Sequence, residues 1–184
     1  MKLMMIDLDG TLFDTRKVNY LAYQEAMAPY GYSIDYRYYC DFCNGRYYLD
    51  FLPQIATTDL SILADIHKRK TVAYKKYLNE AVVNWSLIDI INQCKSVYKI
   101  ALVTTASKQN VYDILELFNL VNLFDLILTH DDVMESKPNP EGYLKAMEYF
   151  GCSAEESVIF EDSNVGIQAA EKAGAKVYVV KGYN

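Results

Sequence analysis

The 184-residue sequence is poor in the residues that staple or metallate small proteins: four cysteines, two histidines, four prolines and one tryptophan. So few cysteines exclude a disulfide scaffold, and a chain of this length buries about 70% of its unfolded surface and does not need one. Cys40 and Cys43 form a Cys-x-x-Cys pair, but Cys94, Cys152, His67 and His130 stand nowhere near them at zinc spacing. Reduced, semi-buried thiols are the expectation. Long apolar runs are missing as well: none exceeds about five residues, against the roughly 20 of a membrane helix. Four apolar residues separate Lys2 from Asp7, short of the about 7–15 of a secretory leader. These gaps predict a soluble, cytoplasmic protein with no membrane partner. Positive charge is scarce, with 18 Lys and Arg against 24 Asp and Glu and a net charge of -6. No broad basic footprint for a nucleic acid exists, and Lys68-Arg69-Lys70 reads as a solvated helix face. A small anionic substrate stays open, because one lysine and one metal ion can dominate a site locally. Repeats and Pro- or Ser-rich linkers are also lacking, and the length suits one domain carrying an insertion.

What is present is an ordinary globular composition, 52% apolar and 23% charged, with 17 tyrosines. Leu3–Ile6, Ile100–Val103, Leu126–Leu128, Val158–Phe160 and Val177–Val180 are short, continuous and rich in Leu, Ile and Val, as strands buried on both faces of a parallel sheet are. Amphipathic helices alternate with them. Val111, Ile114, Leu115 and Phe118 share one face, and Tyr143, Leu144, Met147 and Phe150 do much the same behind Asn139-Pro140. This alternation predicts an α/β fold, a three-layer Rossmann-like core with a parallel sheet. From Thr15 to Asn84 the pattern is helical only. Val18, Leu21, Ala22 and Ala26 line one face, and Leu60, Leu63, Ala64 and His67 another. The expected organisation is a core of residues 1–14 and 85–184 with a helical subdomain, 15–84, inserted after the first strand.

Polar groups stand immediately after four of the five strands. Asp7-Leu8-Asp9-Gly10-Thr11-Leu12 follows the first, Thr104-Thr105 the second, Lys137-Pro138 lies in the loop after the third, and Glu161-Asp162-Ser163 follows the fourth. Ligands of open α/β sheets bind at the carboxyl ends of the strands, so these groups converge. Asp7 and Asp9 are two apart and project to one side of an extended segment. With Glu161 and Asp162 they make a carboxylate cluster that is costly without a cation, and oxygen ligands favour magnesium. Lys137 and the Thr104 hydroxyl remain to meet an anion, and a phosphate group suits that set. Register favours Thr104 over Thr105. Asp162 also stands where it could cap the helix beginning near Ser163.

The four motifs, in this order and each after a strand, resemble the haloacid-dehalogenase-like hydrolase superfamily. Lys137-Pro138-Asn139-Pro140 and Glu161-Asp162-Ser163-Asn164-Val165-Gly166 are similar to its phosphatase and β-phosphoglucomutase-like branch. The resemblance implies that Asp7 is the nucleophile forming an aspartyl-phosphate and that Asp9 is the acid–base group. Mg2+ would be held by Asp7, the Asp9 backbone carbonyl, Asp162 and Glu161, the last directly or through water. Thr104, with Thr105 beside it, and Lys137 would grip the phosphoryl group. It implies that the insert is a cap over the site and that Gly45 and Arg46 form its specificity loop, the plain alternative being an exposed arginine in a turn. The implied partner is a small phosphorylated metabolite: a sugar phosphate, a nucleotide or a phosphoglycolate-like acid. A monomer is the expected state. A mutase of that branch would carry a histidine near Asn19, and none is there, which favours hydrolysis. Asp9 disfavours the dehalogenase and phosphonatase branches, where no leaving oxygen needs a proton. A non-catalytic binding module has no use for Asp9 either.

Overall fold

The computed structural model describes residues 2–44 and 46–182. The chain opens with β1 (Lys2–Ile6), β2 (Phe13–Asp14), α1 (Arg16–Met27), the single turn α2 (Tyr36–Tyr38), α3 (Tyr48–Ile55) and α4 (Leu60–Tyr74). It continues through β3 (Val82–Val83), α5 (Trp85–Cys94), β4 (Tyr98–Val103), α6 (Lys108–Leu117), β5 (Leu126–Leu128) and α7 (Glu141–Phe150). It closes with β6 (Ser157–Glu161), α8 (Asn164–Lys172) and β7 (Lys176–Val179).

Five strands form one parallel sheet in the order β5-β4-β1-β6-β7, and the four sequence-predicted runs of β1, β4, β5 and β6 each lie within their strand. Val180, the last residue of the fifth run, falls just beyond β7. β1 is central and buried on both faces after Lys2, which is why it reads as a continuous apolar run rather than an alternating one. From β1 the chain moves outward through β4 and β5, then crosses back to lay β6 on the other side of β1. That reversal makes the β1–β6 boundary the topological switch point, where ligand crevices of such sheets form. Leu3, Met5, Ala101, Val103 and Ile159 pack with Tyr143, Ala146, Ala169 and Ala170 into the core on one face. Each fully buried Leu, Met or Ile there contributes about 1.5–3 kcal/mol.

The described residues divide into two compact units, one of residues 1–14 and 82–184, the other of residues 15–81. Val82 and Val83, which read as part of the helical insert, are instead a strand: they pair antiparallel with Asp14 and Phe13. A two-residue strand is too short to show a periodicity. In the helical unit α1 and α4 pack together over Tyr23, Ala26, Met27, Phe51, Leu63 and Ile66. Val18, Ala22 and Ala26 are buried as the α1 pattern requires, but α4 buries Leu63, Ile66, Ala73 and Tyr74, while Leu60 is 69% exposed and Ala64 is exposed too. Leu60 is the first helical residue, capped by Asp59, and helical side chains lean toward the N-terminus, off the end of the packed length. No helix among the described residues is long and apolar enough to cross a membrane.

Candidate active site

β1 and β6 run in register through Ile6 and Phe160, so the next residues, Asp7 and Glu161, leave the sheet side by side. The Asp7 N–H donates to the Phe160 carbonyl at 3.0 Å. β4 lies on the other side of β1, with Ile6 paired to Leu102. That places Val103 and Thr104 next to Asp7. Lys137, delivered by the loop between β5 and α7, closes the group. Its Nζ donates to Asp7 Oδ1 at 2.6 Å, Glu161 Oε1 at 2.7 Å and the Val103 carbonyl at 3.0 Å. An ammonium has three N–H bonds, and all three are used. Burial alone would drive the proton off this lysine; the charges of Asp7 and Glu161 outweigh it and hold the pKa above the ordinary lysine value.

Glu161 is fully buried and both its oxygens are engaged. Oε1 accepts from Lys137 and from the Tyr143 hydroxyl at 3.2 Å. Oε2 accepts from the Asp162 N–H, the Ser163 N–H and the Ser163 hydroxyl at 2.8, 2.9 and 3.1 Å. Gly166 leaves room for this carboxylate: a Cβ there would lie 1.7 Å from Glu161 Oε1. Gly10 does the same for Asp162. Its φ is +92°, and a Cβ would lie 2.1 Å from Asp162 Oδ2. Asp162 Oδ1 accepts from the buried Thr11 hydroxyl at 3.0 Å. The helix cap is Ser163, whose side chain accepts from the Gly166 N–H; Asp162, a candidate for that role in the sequence, is turned to Thr11 instead.

Carboxylate oxygens of Asp7, Glu161 and Asp162 lie within 4.8 Å of one another. Burial raises Asp7 well above the ordinary carboxylate value, and the charges of Glu161 and Asp9 add to this while Lys137 opposes it. Asp162 is pushed up to about 6, first by burial and then by Glu161, with the Thr11 hydroxyl opposing. Acids that raise one another in this way are a site short of positive charge, and a divalent cation reverses the effect. The donor set, oxygen only and partly open at Asp162, fits magnesium.

A family model described as haloacid dehalogenase-like hydrolase matches residues 4–180. The chain belongs to that family. Protein CbbY of Rhodobacter capsulatus is 29% identical over 191 residues, spanning 96% of this chain and 84% of that protein. The phosphorylated carbohydrates phosphatase of Thermotoga maritima is 29% identical over 179 residues, spanning 95% of this chain and 82% of that protein. CbbY from Rhodobacter sphaeroides, solved in complex with phosphate, superposes with a TM-score of 0.85 at 27% identity, covering 100% of this chain and 87% of that one. A mutant of the same protein, solved with xylulose-(1,5)bisphosphate, gives 0.84 at 26% identity with the same coverage. This chain is thus a haloacid dehalogenase-like hydrolase with phosphatase-named relatives.

In this hydrolase Asp7, Lys137, Glu161 and Asp162 meet in one network. Asp9 is half-buried just beyond β1, close enough for its charge to raise both Asp7 and Asp162. Thr104 is buried and its Oγ1 accepts from the Ala106 N–H at 3.1 Å, whereas Thr105 is exposed. In the helical unit Arg46 is exposed, and Nη1 and Nη2 donate to the Phe42 and Asp50 carbonyls at 3.1 Å each. Its guanidinium braces its own loop. Gly45 lies outside the described residues. Cys40 and Cys43 are free thiols, Cys43 buried. The Asn19 amide donates to the Thr15 carbonyl and hydroxyl at 3.2 Å each. Sequence reasoning gave no role to Thr11, Tyr143 or Ser163. The signal for Thr11 was its place in the first motif; Tyr143 had none, since an aromatic on an amphipathic face reads as core.

Proposed function

We propose that this hydrolase is a magnesium-dependent phosphatase that acts on a small phosphorylated metabolite, a sugar phosphate foremost, through an aspartyl-phosphate on Asp7. One observation carries the reading. A buried carboxylate at the switch point of the sheet is bonded to a buried lysine at 2.6 Å, with two further carboxylates beside it. The names of the relatives support the sugar-phosphate class, a nucleotide or a phosphoglycolate-like acid being the other candidates. The ordinary asparagine at position 19, turned to Thr15, supports hydrolysis over the mutase chemistry of the branch.

Asp7 and Asp162 would hold the metal, with the Asp9 backbone carbonyl. Glu161, whose two oxygens already accept five hydrogen bonds, would act through water. Bound there, magnesium supplies the charge that lets an anionic carboxylate approach an anionic phosphoryl group. An Asp7 oxygen attacks phosphorus as the P–O bond to the leaving group breaks, and Asp9 protonates the departing oxygen. Asp9 then takes a proton from water, the water oxygen attacks phosphorus, and the bond to Asp7 breaks to release inorganic phosphate. Lys137 turns from Asp7 toward the transferring phosphoryl oxygens, and the Thr104 hydroxyl donates to them. In this reading substrate selection belongs to the helical unit, and the enzyme works in the cytoplasm.

Phosphate release from a panel of sugar phosphates, nucleotides and small phospho-acids tests this, with magnesium and with chelator, beside Asp7→Asn. Metal-dependent release by wild type, with none from Asp7→Asn in a folded protein, is the expected result. A fully active Asp7→Asn protein would sink the mechanism.

A further inference from the structure

We propose that Tyr143 is a positioning residue for phosphoryl transfer, holding the Lys137 ammonium under its ring and Glu161 by its hydroxyl. The inference rests on the phosphatase reading and names a residue it leaves out. Tyr143 is 1% exposed in the first turn of α7. The Lys137 Nζ stands 5.0 Å from its ring centroid, inside the roughly 6 Å reach of a cation–π contact. Its hydroxyl donates to Glu161 Oε1, the same oxygen that accepts from Lys137. One side chain therefore touches both partners of a buried ion pair by two different chemistries.

Packing alone does not call for this arrangement. A core position on an amphipathic helix needs apolar bulk, which leucine or phenylalanine supplies. Here the ring meets a cation and the hydroxyl meets a buried carboxylate. The helix is also let in close to place them: a Cβ on Gly142 would lie 2.9 Å from Val103 Cγ1, and the Val103 carbonyl is the third acceptor of Lys137.

The ring does something a hydrogen-bond acceptor cannot. Every N–H of Lys137 is committed to Asp7, Glu161 or Val103, and one of them must be released to a phosphoryl oxygen. A π face attracts the ammonium without consuming an N–H. It keeps Nζ in place while one donor changes partner. The hydroxyl holds Glu161, so the carboxylate stays put when Lys137 turns.

The test substitutes Tyr143→Phe, Tyr143→Leu and phenylalanines with one, two and three ring fluorines, which weaken the π face at nearly constant shape. Readouts are kcat and KM on the best substrate of the panel, the dissociation constant of inorganic phosphate by calorimetry, and the thermal midpoint. Tyr143→Phe should keep phosphate affinity within about twofold, and Tyr143→Leu should weaken it by about tenfold and lower kcat/KM at least as much. Across the fluorinated series both quantities should fall step by step, to about tenfold at three fluorines, with the thermal midpoint unchanged. A flat series in an active wild type overturns the inference and leaves the phosphatase reading standing. A graded loss of phosphate binding in a wild type that releases no phosphate does the reverse. If Tyr143→Leu fails to fold, the fluorinated series decides alone, and a wild type that neither turns over nor binds phosphate overturns both.

Discussion

The two units of the chain both carry cation–carboxylate pairs at nearly the same separation, yet the pairs do opposite things. In the core Lys137 stands 2.6 Å from Asp7 and 2.7 Å from Glu161, with side chains 7%, 9% and 0% exposed. In the helical unit Lys76 stands 2.7 Å from Glu25, with side chains 63% and 41% exposed. Water screens the second pair and releases little energy when it forms. The first pair is shut away from water, so each member is costly without the others. Distance therefore says little about what an ion pair is worth, and burial decides. The core keeps a charged network whose members depend on one another, and the proposed chemistry is placed there. The helical unit is held by aromatic packing instead: 11 of the 17 tyrosines lie in residues 15–81, with contacts such as Tyr23–Phe51 at 5.3 Å and Tyr20–Tyr36 at 4.9 Å.

The sharpest way to separate the two units is through Asp9. Asp9→Asn should slow turnover by about 10²–10⁴ on alkyl phosphates and much less on aryl phosphates with good leaving groups, since it removes acid–base help alone. Steady-state rates on both substrate types check this; equal rates for mutant and wild type on an alkyl phosphate would remove the assigned role. Next in size is the ion-pair contrast itself. Lys137→Met strands two buried carboxylates and should cost about 3–5 kcal/mol of stability, read from urea midpoints in the presence of chelator. Arg69→Met removes the exposed partner of Asp65 and should leave the midpoint where it was. Comparable shifts in the two variants would mean that burial does not decide what these ion pairs are worth.

Gly166 gives a smaller effect with a telling sign. Alanine in place of glycine within an ordinary helix stabilises by about 1 kcal/mol. Here the new Cβ would run into Glu161, and Gly166→Ala should destabilise by about 1–3 kcal/mol. A stabilised variant would mean that the Glu161 carboxylate is not held where the network requires.

The smallest effect belongs to the helical unit. His67 stacks on Tyr48 at 4.1 Å with an unpartnered, buried Nδ1. Burial and then the Lys70 charge lower its pKa from the usual 6.5. The unfolded chain therefore binds this proton more readily than the folded one, and stability must fall as pH drops below about 6.5. Thermal midpoints between pH 7.5 and 5 should decline less steeply in His67→Phe than in wild type; parallel curves would show that His67 titrates freely.

How much of this was legible in the sequence follows the same division. Asp7, Thr104, Lys137 and Glu161-Asp162 could be placed together because a parallel sheet delivers its strand-end residues to one edge. β1 and β4 were legible because burial on both faces writes an unbroken apolar run; β5, β6 and β7 are only partly buried and were legible from their short apolar runs alone. The double use of Glu161, whose oxygens face Lys137 on one side and the start of α8 on the other, was not, since it depends on a contact between residues 24 apart. Tyr143 was hidden because a ring over an ammonium and a ring in a core occupy the same helical position. The α4 face was misread at Leu60 and Ala64: hydrophobicity marks neither where the packed length of a helix ends, as at Leu60, nor how wide its buried stripe is, as at Ala64. Arg46 was legible as a loop residue only; the carbonyls it binds belong to its own chain segment, which no spacing rule reveals.

In the proposed mechanism Asp7 carries the phosphoryl group between the two half-reactions. Rapid acid quench during turnover of the best substrate, followed by mass spectrometry of the N-terminal peptide, tests it most directly. One added phosphoryl group is expected on the peptide at Asp7 in wild type, more of it in Asp9→Asn, where breakdown is slowed, and none in Asp7→Asn. Turnover with no phosphorylated peptide at any quench time, or with the label on another residue, would contradict it.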